Sequence, residues 1–166
     1  MAEDLDNARS GVQPSGAEHS RAGFAAEVEV ADRNTQPVIL RVYSDAAGES
    51  HFEEIRIPGR RRRSDVSTSV AWWSEEIAVR GAVWRRVEEE APTTTPHNAP
   101  QRQLIVPLSG EVEIEVSTGE RRAVPPGQII LVEDTTGKGH ITRALDDSTR
   151  VTLMLELGDE YLFGDG

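Results

Sequence analysis

The sequence predicts an all-β fold, a sandwich or barrel built from many short strands. Valine, isoleucine and leucine dominate its central and C-terminal segments, and these residues favour strands. The apolar runs are short and end at glycine or proline, as strands in sandwiches and barrels do. From residue 37 onward no window keeps an apolar period of 3.6 residues, so the ordered part is predicted to lack helices.

The predicted elements follow in order along the chain. Residues 1–35 carry few large apolar side chains, which predicts a mostly disordered tail with a short strand at 26–30. Strands at 38–43 and 51–57 flank turn residues and form a hairpin. Four arginines at 60–63 predict an exposed basic loop. The later strands are predicted at 66–73, 76–79, 82–87, 103–108, 111–116, 128–133 and 150–157, with a break at Gly81.

Composition restricts the class of protein. The 166 residues suit one domain, which we place at 36–160, between the N-terminal tail and a C-terminal tail at 161–166. A net charge of −11 disfavours nucleic acid and anionic membranes as partners. No apolar stretch is long enough to span a bilayer, and the absence of cysteine suits a reducing cytoplasm. Lys138 is the only lysine among 18 basic residues, a bias typical of GC-rich bacterial genomes.

Two segments carry a family resemblance. The first begins at His97 and ends at Gly110, and the second runs from the Pro125-Pro126-Gly127 turn to His140. Together with the opening hairpin they resemble the small bacterial single-domain members of the cupin superfamily. The resemblance implies a double-stranded β-helix, which is a jelly-roll barrel, and a homodimer.

The resemblance also implies a pocket inside the barrel. Its motifs supply histidines and a glutamate as ligands for one divalent ion, Fe, Mn, Zn or Ni. Here His97 matches the first histidine, whereas Ala99, Gln103 and Ile130 occupy the other ligand positions. We therefore assign His97, Gln103 and His140 as the metal-binding and catalytic residues. The missing ligands leave a metal-free pocket as the alternative.

Two further residues are predicted to bind substrate. On an extended strand, alternate side chains share one face, which would place Gln101 beside His97 and Gln103. Lys138 lies between two glycines and could contact an anionic substrate from a loop. The simpler interpretations are structural: a histidine in a β-protein is more often a packing residue, and Asp134 would stabilise a turn.

The predicted function is a small-molecule enzyme of the cupin type. It would use acid–base or metal-assisted chemistry on an oxygenated organic substrate, in a bacterial catabolic or natural-product pathway. Isomerases, dioxygenases, cyclases and lyases all occur among the proteins it resembles, so the class stays open. The alternative is a non-catalytic ligand-binding or sensor protein with a decayed metal site.

Overall fold

The computed structural model describes residues 25–27, 36–64, 68–88 and 95–158. All regular secondary structure in these ranges is strand, which confirms the all-β class. Accordingly, none of the described segments is a helix long and apolar enough to cross a membrane. The predicted tails at 1–35 and 161–166 lie outside the described residues, apart from a short strand at 25–27.

The strands alternate along the chain between turns and short loops. In chain order they are β1 Ala25–Glu27, β2 Val38–Ser44, β3 Ser50–Arg56, β4 Gly59–Arg63, β5 Val70–Ser74, β6 Val79–Val87, β7 Gln103–Ser109, β8 Val112–Val116, β9 Arg121–Val124, β10 Ile130–Val132, β11 His140–Ala144 and β12 Arg150–Leu157.

Two of the three sheets face each other, and the third consists of strands β1, β4 and β5. The large sheet has the order β3-β2-β10-β7-β12-β6, and the small facing sheet has the order β11-β8-β9. Neighbours are antiparallel except β2 and β10, which run parallel with Leu40 beside Ile130. None of the three sheets closes on itself, so the described fold is a β-sandwich.

Both faces of the large sheet are covered by apolar packing. The inner cluster joins it to the small sheet through residues such as Val42, Ile114 and Val132. The outer cluster includes Ile39 and Leu131, and Trp72 of β5 packs against it. Side chains that alternate along β2 therefore enter two different cores, as expected for a strand buried on both faces.

Several predicted boundaries differ from the structure. The arginine run at 60–63 belongs to strand β4 and is not a loop, because it pairs residue by residue with β5 and its side chains alternate between half-buried Arg60 and Arg62 and exposed Arg61 and Arg63. Gly81 lies inside β6 and does not interrupt it, while 75–78 form no strand. Strands β9 and β11 were not predicted, since their mixed sequences RRAV and HITRA lack a clear apolar alternation.

The expected homodimer stays a prediction. Strand β6 is an edge of the large sheet, and its Val83 and Trp84 are exposed at 47% and 66%. Trp73 is also exposed, whereas Trp72 packs against the outer cluster.

Candidate functional site

A cavity of about 520 Å³ lies between the large and the small sheet. This volume is within the usual range for sites that enclose a small organic molecule, roughly 300–1,000 Å³. Alternate residues of six strands line it, as the period of two along each strand requires. The strand residues that line it are Arg85, Val87, Gln103, Ile105, Pro107, Ser109, Val112, Ile114, Ile130, Val132, His140, Thr142, Arg150, Thr152 and Met154.

The structure brings three of the predicted site residues together. His97, Gln103 and His140 all line this cavity, with Gln103 and His140 buried at 5% and 6% exposure. Ala99 and Ile130, at the positions where the resemblance would place histidines, line it as well. The cavity therefore contains three of the five residues predicted for the site.

The two predicted substrate-binding residues lie elsewhere. Gln101 is exposed and is not among the residues that line the cavity, because the chain bends at residues 100 and 101 before β7 begins. The assumption of one extended strand from 97 to 103 was therefore wrong. Lys138 is also exposed, and its ammonium group bonds the carboxylate of Glu49 in the β2–β3 hairpin.

A buried carboxylate orients the ring of His140. Asp134 is fully buried, and its Oδ2 accepts a hydrogen bond from Nδ1–H of His140 at 2.6 Å. A carboxylate can only accept, so this bond places the proton on Nδ1 and leaves Nε2 as the nitrogen available to the cavity. The carbonyl oxygen of Asp134 fixes the loop, because it accepts from the side-chain amide of Asn98 at 3.0 Å and from the backbone N–H of Ala99 at 3.3 Å.

His97 lies next to His140 in the cavity wall. Its backbone forms an isolated β-bridge with His140, with N–H to O distances of 2.9 Å in both directions. The two imidazole rings are consequently close, with centroids 4.6 Å apart and planes tilted by 53°. One bridge thus couples the position of His97 to that of the oriented ring.

Burial lowers the pKa of His97 from its ordinary value of 6.5, and the charge of His140 lowers it further. The charge of Arg85 acts in the same direction, while Asp134 and a hydrogen bond to the backbone of Thr95 oppose it. His97 is therefore mainly neutral near pH 7, when its ring can accept a proton.

The lowered pKa of His97 makes stability depend on pH. As the pH falls through 6.5, the ordinary pKa of histidine, the imidazole of His97 takes up a proton in the unfolded chain before it does so in the folded protein. The free energy of unfolding should therefore decrease in this pH range. The loss should level off below the pKa of the folded state. Urea titrations at pH 8, 7, 6 and 5 should show a smaller decrease for His97→Gln than for the wild type. An identical decrease in both proteins would contradict the assigned cause.

Sequence reasoning missed three residues of the site. Asp134 was interpreted as a turn residue, although an acid six residues before a histidine across a glycine loop could have suggested the pair. Arg85 and Arg150 line the cavity from β6 and β12, but arginines in alternating strands give no local signal of a pocket. Only the register of the large sheet places them on its inner face.

The donor set falls short of what a divalent ion needs. The described lining offers two imidazoles and one neutral amide, and no carboxylate belongs to it. Asp134 already accepts from His140, and within the described ranges no group of three or more His, Asp or Glu side chains could hold a metal. First-row metal sites in proteins usually have three or four such ligands. These residues therefore do not fit a resident metal. The metal-binding role of His97, Gln103 and His140 rests on the family resemblance alone and stays a prediction.

Models of known protein families give no match to this chain, and a comparison with curated proteins gives none either. The chemistry of the cavity is therefore the guide to function.

Proposed function

We propose that this protein is a cupin-type jelly-roll enzyme that transfers protons to and from a small oxygenated organic molecule inside the sandwich. The observation that carries the proposal is the buried Asp134–His140 hydrogen bond, which opens on a cavity of about 520 Å³ beside a second imidazole. Such a pair of histidine and carboxylate is a common general base.

The strand order supports the jelly-roll part of the proposal. The bridge at His97 extends the small sheet next to β11, and with it counted the chain from β6 onward crosses between the two sheets at each connection except the β8–β9 hairpin. This arrangement yields the facing orders β6-β12-β7-β10 and His97-β11-β8-β9. Two facing sheets of four strands with crossing connections are the pattern of a jelly roll.

The roles follow from the protonation of each ring. His140 takes a proton at Nε2, and the resulting imidazolium is stabilised by the Asp134 carboxylate across the 2.6 Å contact. His97, kept neutral by its lowered pKa, can accept a proton from the same molecule. Gln103 is placed to bond a carbonyl or hydroxyl oxygen. Isomerases that move a carbon-bound proton need only such transfers, and lyases that eliminate a protonated leaving group also use them, so these are the classes that we favour.

Deuterium exchange tests this function directly. The protein is incubated in D2O with a panel of hydroxy ketones, keto acids and hydroxy acids, and proton NMR records the loss of carbon-bound hydrogen. We expect exchange with the wild type and a decrease of about 100-fold or more in His140→Gln, the usual scale of general base catalysis. Circular dichroism establishes that the variant is folded.

A second pair of histidine and aspartate provides the control. His51 and Asp45 are bonded at 2.9 Å, but both are partly exposed and lie in the β2–β3 hairpin, away from the cavity. His51→Gln should leave the exchange unchanged. Molecules that bind without exchanging any proton would overturn the enzyme proposal and favour the ligand-binding alternative, which the apolar lining at Ile105, Ile114 and Met154 also suits.

A further inference from the structure

The cavity follows the whole length of strand β7. Alternate residues of this strand line it, beginning at Gln103, continuing with Ile105 and Pro107, and ending at Ser109. A strand rises about 3.3 Å per residue, so the chain from Gln103 to Ser109 extends over roughly 20 Å. Facing sheets lie only about 10 Å apart, and side chains from both sheets occupy that gap. The cavity is therefore elongated along the strands.

The small sheet gives a separate measure of this length. Its residues His140, Thr142, Ile114 and Val112 line the cavity as well. In the β8–β11 ladder Thr142 is paired with Ile114, two residues from the position of His140, and Val112 lies two residues further along. Along the sheet, Val112 is thus about 13 Å from the level of His140. Residues at three depths face the same cavity.

The imidazoles lie at one end of the cavity. Gln103 is paired with Val132 at the end of β10, next to the loop that carries His140. We call this the imidazole end. At the opposite end only two residues connect β7 to β8, which brings Ser109 and Val112 together. We call this the far end.

The wall between the two ends is mainly aliphatic. Its apolar residues are Ile105, Pro107, Ile114, Ile130 and Met154. The polar side chains at the same depth are Thr142, Thr152 and Arg85, which lies on the edge strand β6. Apart from the imidazoles, the described lining contains no aromatic ring, so a planar aromatic ligand would gain little from ring stacking. An aliphatic chain gains from the burial of its surface alone.

We propose that the cavity holds a linear aliphatic carbonyl compound, with its oxygen at the imidazole end and its chain extended toward the far end. The volume of about 520 Å³ is sufficient for such a molecule. The inference rests on the proposed function for one point, that the carbonyl group lies beside His140. It narrows the substrate class from oxygenated organic molecules in general to chain-like ones. Thr142 and Val112 are then the residues that limit the length of the chain.

Calorimetric titration with a series of methyl ketones, from 2-pentanone to 2-undecanone, tests the shape of the cavity without any turnover. We expect the affinity to rise by up to about fourfold for each added CH2 group, until the chain reaches the far end, and to stay constant beyond that length. The compact 2-adamantanone has as many carbons as 2-decanone. It should bind about tenfold or more weakly, because it covers only part of the wall. Affinities that do not depend on chain length, or equal binding of these two ketones, would overturn the proposal.

Two substitutions test the limit on chain length. Val112→Trp fills the far end and should weaken the binding of 2-undecanone by about tenfold, the value of about two CH2 groups, while 2-pentanone binds as before. Thr142→Trp lies closer to the imidazoles and should make the affinity level off at a still shorter chain. Leu108→Trp is the control, because Leu108 is 44% exposed, lies on β7 and does not line the cavity. This variant should bind the whole series as the wild type does.

The outcomes separate this inference from the catalytic proposal. His140→Gln leaves the aliphatic wall unchanged, so the dependence on chain length should persist while deuterium exchange is lost. Ketones that bind the wild type with this dependence but exchange no proton would support the chain-like ligand and overturn the enzyme. A loss of 2-pentanone binding in Val112→Trp would place the carbonyl group at the far end and contradict the proposed orientation. Circular dichroism establishes that each variant is folded.

Discussion

Replacing Asp134 with asparagine is expected to stop proton transfer at His140 while the protein stays folded. The amide can donate to Nδ1, so the imidazole proton moves to Nε2 and the nitrogen facing the cavity loses its lone pair. The imidazolium also loses its buried counter-charge. The deuterium exchange rate should fall by about 10³-fold or more, a scale typical of a carboxylate that orients a catalytic histidine.

The same variant has a readout that does not depend on substrate. Nitrogen NMR of the free protein should show the protonated ring nitrogen of His140 change from Nδ1 to Nε2. The free energy of unfolding should change by less than about 2 kcal/mol, because the amide has nearly the same size and one hydrogen bond is exchanged for another. Asp45→Asn, at the exposed His51 pair, should leave the exchange rate at the wild-type value. Persistence of Nδ1–H in Asp134→Asn would contradict the role of the carboxylate.

Among alanine substitutions of the glycines in the loop before β11, Gly139→Ala is expected to lower the free energy of unfolding the most. Gly139 has a φ of +69°, and a Cβ there would lie 2.3 Å from the backbone oxygen of His97. The left-handed conformation costs about 1–2 kcal/mol, and the clash with backbone adds a similar or larger amount. We therefore expect a loss of about 3 kcal/mol or more in the free energy of unfolding.

Gly119 provides the matched control for this prediction. Its φ is +86°, but no atom lies within 4 Å of the position that a Cβ would occupy. The free energy of unfolding of Gly119→Ala should therefore fall only by the cost of the left-handed conformation, about 1 kcal/mol. Urea unfolding of both variants measures the difference. Equal losses would show that the approach of Gly139 to His97 is not tight, and would remove the reason for the close contact of the two rings.

The fold class could be predicted from the sequence because strand alternation is a local property. Strand β12 was predicted with its observed bounds, since apolar and polar residues alternate from Arg150 to Leu157 between turn residues. Strand β4 could not be predicted, because four consecutive arginines carry no apolar alternation, although in the ladder with β5 half-buried and exposed arginines alternate. The prediction of strand therefore fails where side chains do not report which face is buried.

The site was predictable only in part for a related reason. His97 and Gln103 were placed by a linear pattern, and they do line the cavity. Gln101 was placed by the same pattern and lies outside, because Pro100 and the bend after it end the extended chain. The partnership of Asp134 with His140 and the positions of Arg85 and Arg150 depend on loop geometry and strand register. Neither the loop geometry nor the strand register can be inferred from a short stretch of sequence.

The order of strands in the large sheet has a consequence for how the chain reaches its native state. Only β2 and β3 are neighbours both in the sheet and along the chain; β10 and β12, the last of its strands in sequence, fill positions between earlier ones. Contacts between distant segments slow folding, so refolding should take milliseconds to seconds. During synthesis the inner edges of β2, β7 and β6 stay open until β10 and β12 have emerged. The nascent chain is most exposed to aggregation in that interval, and a chaperone would be of greatest benefit then.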